Sequence, residues 1–295
     1  RPFISEAYPF GVHTRQVLVV DWSANSRPKK GADSIWISDA FGWSVNPSTR
    51  AEAMQLIQER TREGHWLVAF DFPMGIPFGV CDFQDWRALW QTIAAGLQDG
   101  QNNQNTRWEL AAFLNQQHQG RFWGVPQSRP HLSSKRVHEA GDWEWRVGDP
   151  RGAQSAWKLL GVGSVGSQML TGIAHLERWR QQDPSSFAVW PFESSDARIV
   201  VSETWPSHPV FAAAQQSVRD QRPSAVRDEV QTKGTAAVLQ SAAASEALMD
   251  LGRLRQEAMA TPQGPGGWRL SPEVRAQRFP HITTLEGWIL LPPAK

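Results

Sequence analysis

The sequence predicts a mixed α/β fold, a β-sheet covered by helices on both faces. Three observations carry this expectation. The runs QVLVVDW (Gln16 to Trp22), HWLVAFDF (His65 to Phe72) and IVVSETW (Ile199 to Trp205) are short, apolar and closed by turn or breaker residues, as buried strands are. Segments of helical periodicity separate and follow them. With 295 residues, 40% of them hydrophobic and 20% charged, the chain has ordinary globular composition and enough length to bury a full core.

After the first strand, Ser34 to Phe41 alternates and predicts a second strand, with a short third near Gly42 to Val45. Ser48 to Glu63 carries Ala51, Met54 and Ile57 behind Ser48 or Thr49, either of which suits an N-cap, so a helix is expected. The strand His65 to Phe72 is ended by Pro73 and Gly75. Phe83 to Leu97 and Thr106 to Gln117 read as helices. Gln119 to Pro150, rich in Gly, Pro, Trp, Arg and His, reads as a long structured loop. A glycine-rich turn opens a helix at Ser164 to Gln181. Strands at Phe187 to Phe192 and Arg198 to Trp205 follow, then Ala-rich helices at Ser224 to Ala244 and Ser245 to Ala260. The tail, Thr261 to Lys295, is punctuated by Pro and Gly and holds one apolar segment, Gly287 to Leu291. Three meandering strands, a helix and a parallel return strand form the arrangement of a ribonuclease H-like sheet. The first strand is then central, with the strand ending at Asp71 beside it. One domain over residues 1–295, with a mostly helical insertion at about 80–185, is the expected organisation.

Composition excludes several function classes. No apolar run approaches the roughly 20 residues that span a bilayer, and Arg1 to Arg15 holds no signal-peptide apolar region. The single cysteine, Cys81, makes neither an internal disulfide nor a cysteine metal site, so a cytoplasmic location is expected and Cys81 reads as structural. A net charge of +1 gives no global field for polyanions. The candidate basic clusters near the acids are Arg27, Lys29 and Lys30 after the first strand and Arg129, Lys135 and Arg136 in the long loop. Sixteen tryptophans stand against one tyrosine. Most are expected in the core, leaving a few to stack a planar ligand.

Asp21 and Asp71 each end an apolar strand, and ligands of open α/β sheets bind outside the carboxyl ends of the strands. Glu203 lies in the third apolar strand, followed by Pro206, and Asp228 and Glu229 open the next helix. If these acids converge, a divalent cation is the usual means of holding them ionised together. Magnesium and manganese suit all-oxygen sites. Two such ions about 4 Å apart activate water and stabilise the leaving oxygen of a phosphodiester. The expected geometry places the carboxylates of Asp21, Asp71 and Glu203 around one point.

These residues also carry a resemblance. VVDWSA (Val19 to Ala24), AFDFPMGIP (Ala69 to Pro77), SAWKLLGVGSVGSQMLTGI (Ser155 to Ile173), VVSETWPS (Val200 to Ser207), VRDEVQT (Val226 to Thr232) and EGWIL (Glu286 to Leu290) resemble domain-of-unknown-function family 429. That family is similar to the ribonuclease H-like superfamily and is described as predicted nucleases, with relatives often labelled cobalamin-biosynthesis proteins. The resemblance implies a ribonuclease H-like fold and a metal site. In it Asp21 is the central metal-bridging acid, Asp71 the acid of the second strand, Glu203 the third and Asp228 the acid of the last helix.

Two further motifs bear on substrate. GVGSVG (Gly161 to Gly166) fits G-x-G-x-x-G, but Trp157 to Leu160 is a poor strand and the motif sits mid-chain, which disfavours a dinucleotide site. Anion binding by Gly163 and Ser164 at the helix N-terminus is the better reading. Lys158 before the turn and Ser23 after Asp21 join Arg129 and Lys135 as expected substrate contacts. His118, His131 and His138 lack zinc spacing. The leading expectation is a metal-dependent hydrolase, a nuclease or phosphoesterase using Mg2+ or Mn2+ on a short nucleic acid or small phosphorylated ligand. The alternatives are a nucleotide-dependent phosphotransferase of actin-like type and a non-catalytic ligand-binding protein that kept the fold.

Overall fold

In a computed structural model, which describes residues 15–126, 128, 141, 143–194, 196–243, 246–259 and 268–293, the apolar runs form adjacent strands. β1 (Gln16–Asp21), β2 (Trp36–Asp39) and β3 (Ser44–Val45) meander, and α1 (Arg50–Arg60) leads into β4 (Trp66–Phe70). Helices α2 (Trp86–Gly96), α3 (Arg107–Gln117) and α4 (Gly166–Gln182) precede β5 (Phe187–Val189) and β6 (Ile199–Thr204). Then come α5 (Ala212–Gln221), α6 (Arg227–Ala243), α7 (Leu251–Met259), α8 (Pro272–Arg278) and β7 (Ile289–Leu290). The sheet runs β3-β2-β1-β4-β6-β5, with β7 also paired to β6. β2 is antiparallel to β1 and β3, while the β1–β4, β4–β6, β5–β6 and β6–β7 pairs are parallel. This is the mixed α/β sheet that the sequence predicts, with β1 internal and β4 parallel beside it.

Alternation along the buried strands divides the core in two. Leu18, Val20, Val68, Phe70 and Val201 pack with α1, α2, α3 and α4 through residues such as Ile57, Trp90, Leu114 and Ile173. Val17, Val19, Leu67, Ala69 and Val200 pack on the other face with Ala236 and Leu239 of α6 and Leu254 of α7. The expected helical insertion therefore shares one face's core with the strands. Five tryptophans, Trp22, Trp66, Trp86, Trp90 and Trp157, are fully buried, so tryptophan is mainly core material here. Among the described residues no helix is long and apolar enough to cross a membrane.

Local chemistry sets the helix ends. Thr49 caps α1 by accepting from the Glu52 N–H, while the Glu52 carboxylate accepts the Ser48 N–H, a reciprocal pair that satisfies two orphan donors. Asp85 caps α2 from the Ala88 N–H, and Ser271 with Pro272 starts α8. α5, α8 and the pairing of β7 are absent from the sequence reading. α5 buries no side chain, and α8 has only seven residues, so neither presents a long apolar stripe.

The chain after β4 turns tightly under the C-terminal segment. The Ile76 N–H donates to the Leu285 carbonyl at 3.2 Å. A Cβ on Gly75 would lie 2.0 Å from that oxygen and 2.7 Å from the Glu286 oxygen, so only glycine fits. Gly75→Ala should lower stability by about 2 kcal/mol through overpacking against backbone that cannot rotate aside, read as a lower urea midpoint at unchanged slope. An unchanged midpoint would contradict the contact.

Candidate functional site

The parallel register brings two acids together. Asp21 ends β1, and Asp71 directly follows β4, with the Asp71 N–H donating to the Val20 carbonyl. Leu18, Val20 and Trp22 face α1–α4, so Asp21 faces the α6 side, and Asp71 shares that side with Ala69. The Trp22 N–H donates to Asp71 Oδ1 at 2.7 Å, and the two carboxyl groups hydrogen-bond to each other. Asp228, in the first turn of α6, completes the cluster. Its Oδ2 accepts the Asp33 N–H at 2.7 Å. Helix phase turns Glu229 away, where it is buried and paired with Arg222 at 2.6 Å and Lys233 at 2.8 Å.

These acids form one electrostatic unit. Withdrawal from water at the cleft floor, then the charges of Asp71 and Asp228, raise the Asp21 carboxyl well above the ordinary range. Burial likewise raises Asp71, to about 7, against the pull of the Trp22 N–H and of the hydrogen bond from Asp21. Asp21 and Asp71 therefore hold a proton between them. Burial also raises Asp228, opposed by the Asp33 N–H. Arg227, exposed at the rim, is the cation that acts on Asp21.

A cleft of 680 Å3 opens over the acids, within the range of small-molecule sites. Ser23 lines it, and so do Gly163 and Ser164 on the turn that starts α4. That turn places Gly161 and Gly163 at φ +99° and +71°, and α4 has no side-chain N-cap. Lys158 does not reach toward the acids. Its Nζ donates to the Val162 carbonyl at 2.6 Å and braces the turn. Beneath the floor, buried Arg50 donates to the carbonyls of Ser23 and Asn25 at 2.9 and 2.8 Å. Arg50 is itself held by Asp99, which also contacts His175 at 2.9 Å. The loop that carries Ser23 is thus fixed from below.

Glu203 requires a correction. It pairs in register with Phe70, one residue short of Asp71, so it faces the opposite side of the sheet. A one-residue offset reverses the face of every strand side chain. There Glu203 is buried and receives both terminal nitrogens of Arg146 at 2.6 and 2.7 Å and the Met74 N–H at 3.2 Å. One step on, Thr204 falls level with Asp71, its hydroxyl bonded to the Leu290 carbonyl. The cluster that forms is Asp21, Asp71 and Asp228, without Glu203. Arg129, Lys135, Arg136, His131 and His138 lie outside the described residues. His118 pairs with Asp82 at 2.9 Å, and burial pushes the Cys81 thiol up to about 12, which leaves it inert as a nucleophile.

Among the described residues no group of three or more His, Cys, Asp or Glu side chains is arranged to hold a metal ion. The acids present are a pair in direct contact with a third nearby. Magnesium is commonly held by one or two carboxylates together with water and substrate phosphate, so the donor set of Asp21 and Asp71 suits a hard divalent cation.

The shared proton has a consequence for stability. A carboxyl kept protonated by the fold stabilises it at acid pH, and that contribution is lost as pH rises above the ordinary carboxylate range, through about 7 for Asp71 and through the still raised range of Asp21, because the unfolded chain releases a proton that the folded chain retains. Asp21→Asn keeps a donor to Asp71 and removes the titration. With divalent cations chelated, its melting temperature should exceed that of the wild type by about 3 °C or more at pH 8 and by much less at pH 5. Parallel melting curves across this range would rule out the shared proton.

Compared with protein-family models, with curated proteins and with solved structures, the chain matches none.

Proposed function

We propose that the cleft is the active site of a divalent-metal-dependent phosphoesterase acting on a short nucleic acid or a small phosphorylated substrate. The observation that carries this reading is the contact pair Asp21 and Asp71, set beside Asp228 at the floor of a 680 Å3 cleft rimmed by Arg227 and the α4 turn. Asp21 and Asp71 would hold Mg2+ or Mn2+, with Asp228 the third acid within reach. When bound, the ion supplies a water nucleophile at neutral pH and stabilises charge on the phosphoryl oxygens.

The chain's own residues do the rest. Asp21 and Asp71 would give up their shared proton to hold a cation, so cation binding would become more favourable as pH rises. Arg227 offers a guanidinium to a substrate phosphate at the rim. Gly163 and Ser164 line the cleft before α4, where the Ser164 N–H is taken by the Gly161 carbonyl at 3.0 Å, so any contact of Ser164 with an anion would come from its hydroxyl. Ser23 stands beside Asp21 on the loop clamped by Arg50. The strand order, with β1 internal and β4 and β6 parallel beside it, supports a ribonuclease H-like fold. With the motifs at Asp21 and Asp71, it supports membership of domain-of-unknown-function family 429. Long duplexes fit less well, because a net charge of +1 leaves few phosphate contacts.

Manganese or magnesium should raise the melting temperature of the wild-type protein by mass action, and Asp21→Asn should abolish that rise. A rise retained in Asp21→Asn would remove Asp21 from the site. With manganese, short oligonucleotides, nucleotides and model phosphoesters should include at least one that is turned over, and Asp71→Asn should reduce that rate at least 100-fold. Turnover that persists in Asp71→Asn would identify a contaminant. Tight binding without turnover would favour a ligand-binding protein.

A further inference from the structure

The cleft has an aromatic surface that hydrolysis of a simple phosphate does not require. Two tryptophans line it. Trp22 is a core residue, buried, with its indole N–H on the Thr171 hydroxyl. Trp205 is different. It belongs to neither hydrophobic cluster and is half-buried. It follows β6 at the same end of the sheet as the acids. His208 meets its ring edge-on at 5.3 Å.

The opposing backbone is fitted to this indole. Gly152 has φ +102°, a conformation that favours glycine, and a Cβ there would lie 2.9 Å from Trp205 Cη2. Any side chain at position 152 would push the ring aside. Gln154 lies over Gly163, where a Cβ would meet it at 2.8 Å, so the Trp205 and Gly152 wall meets the α4 turn. Leu160 and Val162, also lining the cleft, are 45% and 96% exposed. One side of the cleft is therefore apolar and planar, while its floor carries Asp21, Asp71 and Asp228 with Arg227 at the rim.

An amphipathic ligand matches that division. We infer that Trp205 is a stacking platform, and that the cleft takes a phosphate joined to a planar ring, of the nucleoside monophosphate class, in preference to an aliphatic phosphate. Ring and phosphate are then recognised at separate surfaces, the ring by Trp205 and the phosphate at the acid end beside Arg227. This assignment rests on the phosphoesterase reading for the phosphate end only, and the ring surface can be tested by binding alone.

The experiment measures affinities of the full chain by calorimetry, with manganese present, for adenosine 5′-monophosphate, ribose 5-phosphate and inorganic phosphate. Asp71→Asn is assayed for turnover in parallel. The nucleotide should bind about tenfold or more tightly than ribose 5-phosphate, as stacking on one aromatic side chain provides. Trp205→Ala should remove most of that preference and leave ribose 5-phosphate affinity within about twofold, while Trp205→Phe should retain it. Equal binding of the two ligands by the wild type would overturn the inference whatever the variants do. So would a preference that survives Trp205→Ala, or no binding of any probe. Nucleotide preference through Trp205 without metal-dependent turnover would sustain the stacking platform and reject the hydrolase.

Discussion

Two carboxylates at the ends of neighbouring parallel strands repel each other when both are ionised. At hydrogen-bond separation and an effective dielectric near 20, that repulsion is on the order of 5 kcal/mol. The chain does not avoid this by turning one acid away. β1 and β4 pair in register through Val20 and Phe70, and both next residues are aspartates on the same face. The surroundings then fix the pair. The Trp22 N–H holds Asp71, Arg50 holds the carbonyls after Asp21, and the loop around Asp33 ties down Asp228. A shared proton relieves the repulsion, and a divalent cation bound in its place would relieve it more fully. The site is a stored electrostatic conflict, kept close by a rigid sheet.

A second set of buried charges serves placement. Glu203, Arg146 and Asp149 form a fully buried triad, and Arg278 pairs with buried Glu286, whose carboxylate also accepts the Val147 and Phe78 N–H groups. Such networks add little net stability over an apolar core, yet removing one member is costly because it strands a buried charge. Their effect here is positional. They anchor the segment from Arg146 to Asp149 on the sheet, with Gly148 close against Trp288. Three residues later the same segment delivers Gly152 and Gln154 to the cleft wall. An acid that the sequence assigns to the floor of the site instead secures one of its walls.

The difference shows what a sequence carries. Asp21 and Asp71 were legible because strand ends are marked locally, by an apolar run and the breakers after it. Asp228 was legible as a helix-start acid, and the choice between it and Glu229 waited on helix phase. Glu203 has the same local signature as the other strand acids. Its face depends on the register of β6 against β4, which is set by packing between segments more than 100 residues apart. Lys158 follows the same pattern, since a lysine before a glycine turn reads as an anion contact until the turn folds back and offers it the Val162 carbonyl. Trp205 carried no distinguishing signal among so many tryptophans. It lies outside both hydrophobic clusters, as Trp36 and Trp145 also do, and of these three it alone lines the cleft.

The charge balance of the cleft bears on what it can hold. Asp21 and Asp71 with one proton carry a single negative charge, Asp228 contributes another when ionised, and Arg227 offsets one. A phosphate entering this floor meets like charge, so it binds well only if that charge falls. Protonation lowers it toward acid pH, and a divalent cation lowers it at neutral pH while leaving the carboxylates ionised as ligands. On the proposed function, cation and phosphate binding would therefore be coupled by linkage, each raising the affinity of the other by the same factor. A planar ring on Trp205 lies outside this coupling, because stacking is indifferent to the charge at the floor. If both proposals hold, the cleft would combine one contact that depends on the cation with one that does not. A ligand that uses both can be retained at the aromatic wall while the ionic end is still uncommitted.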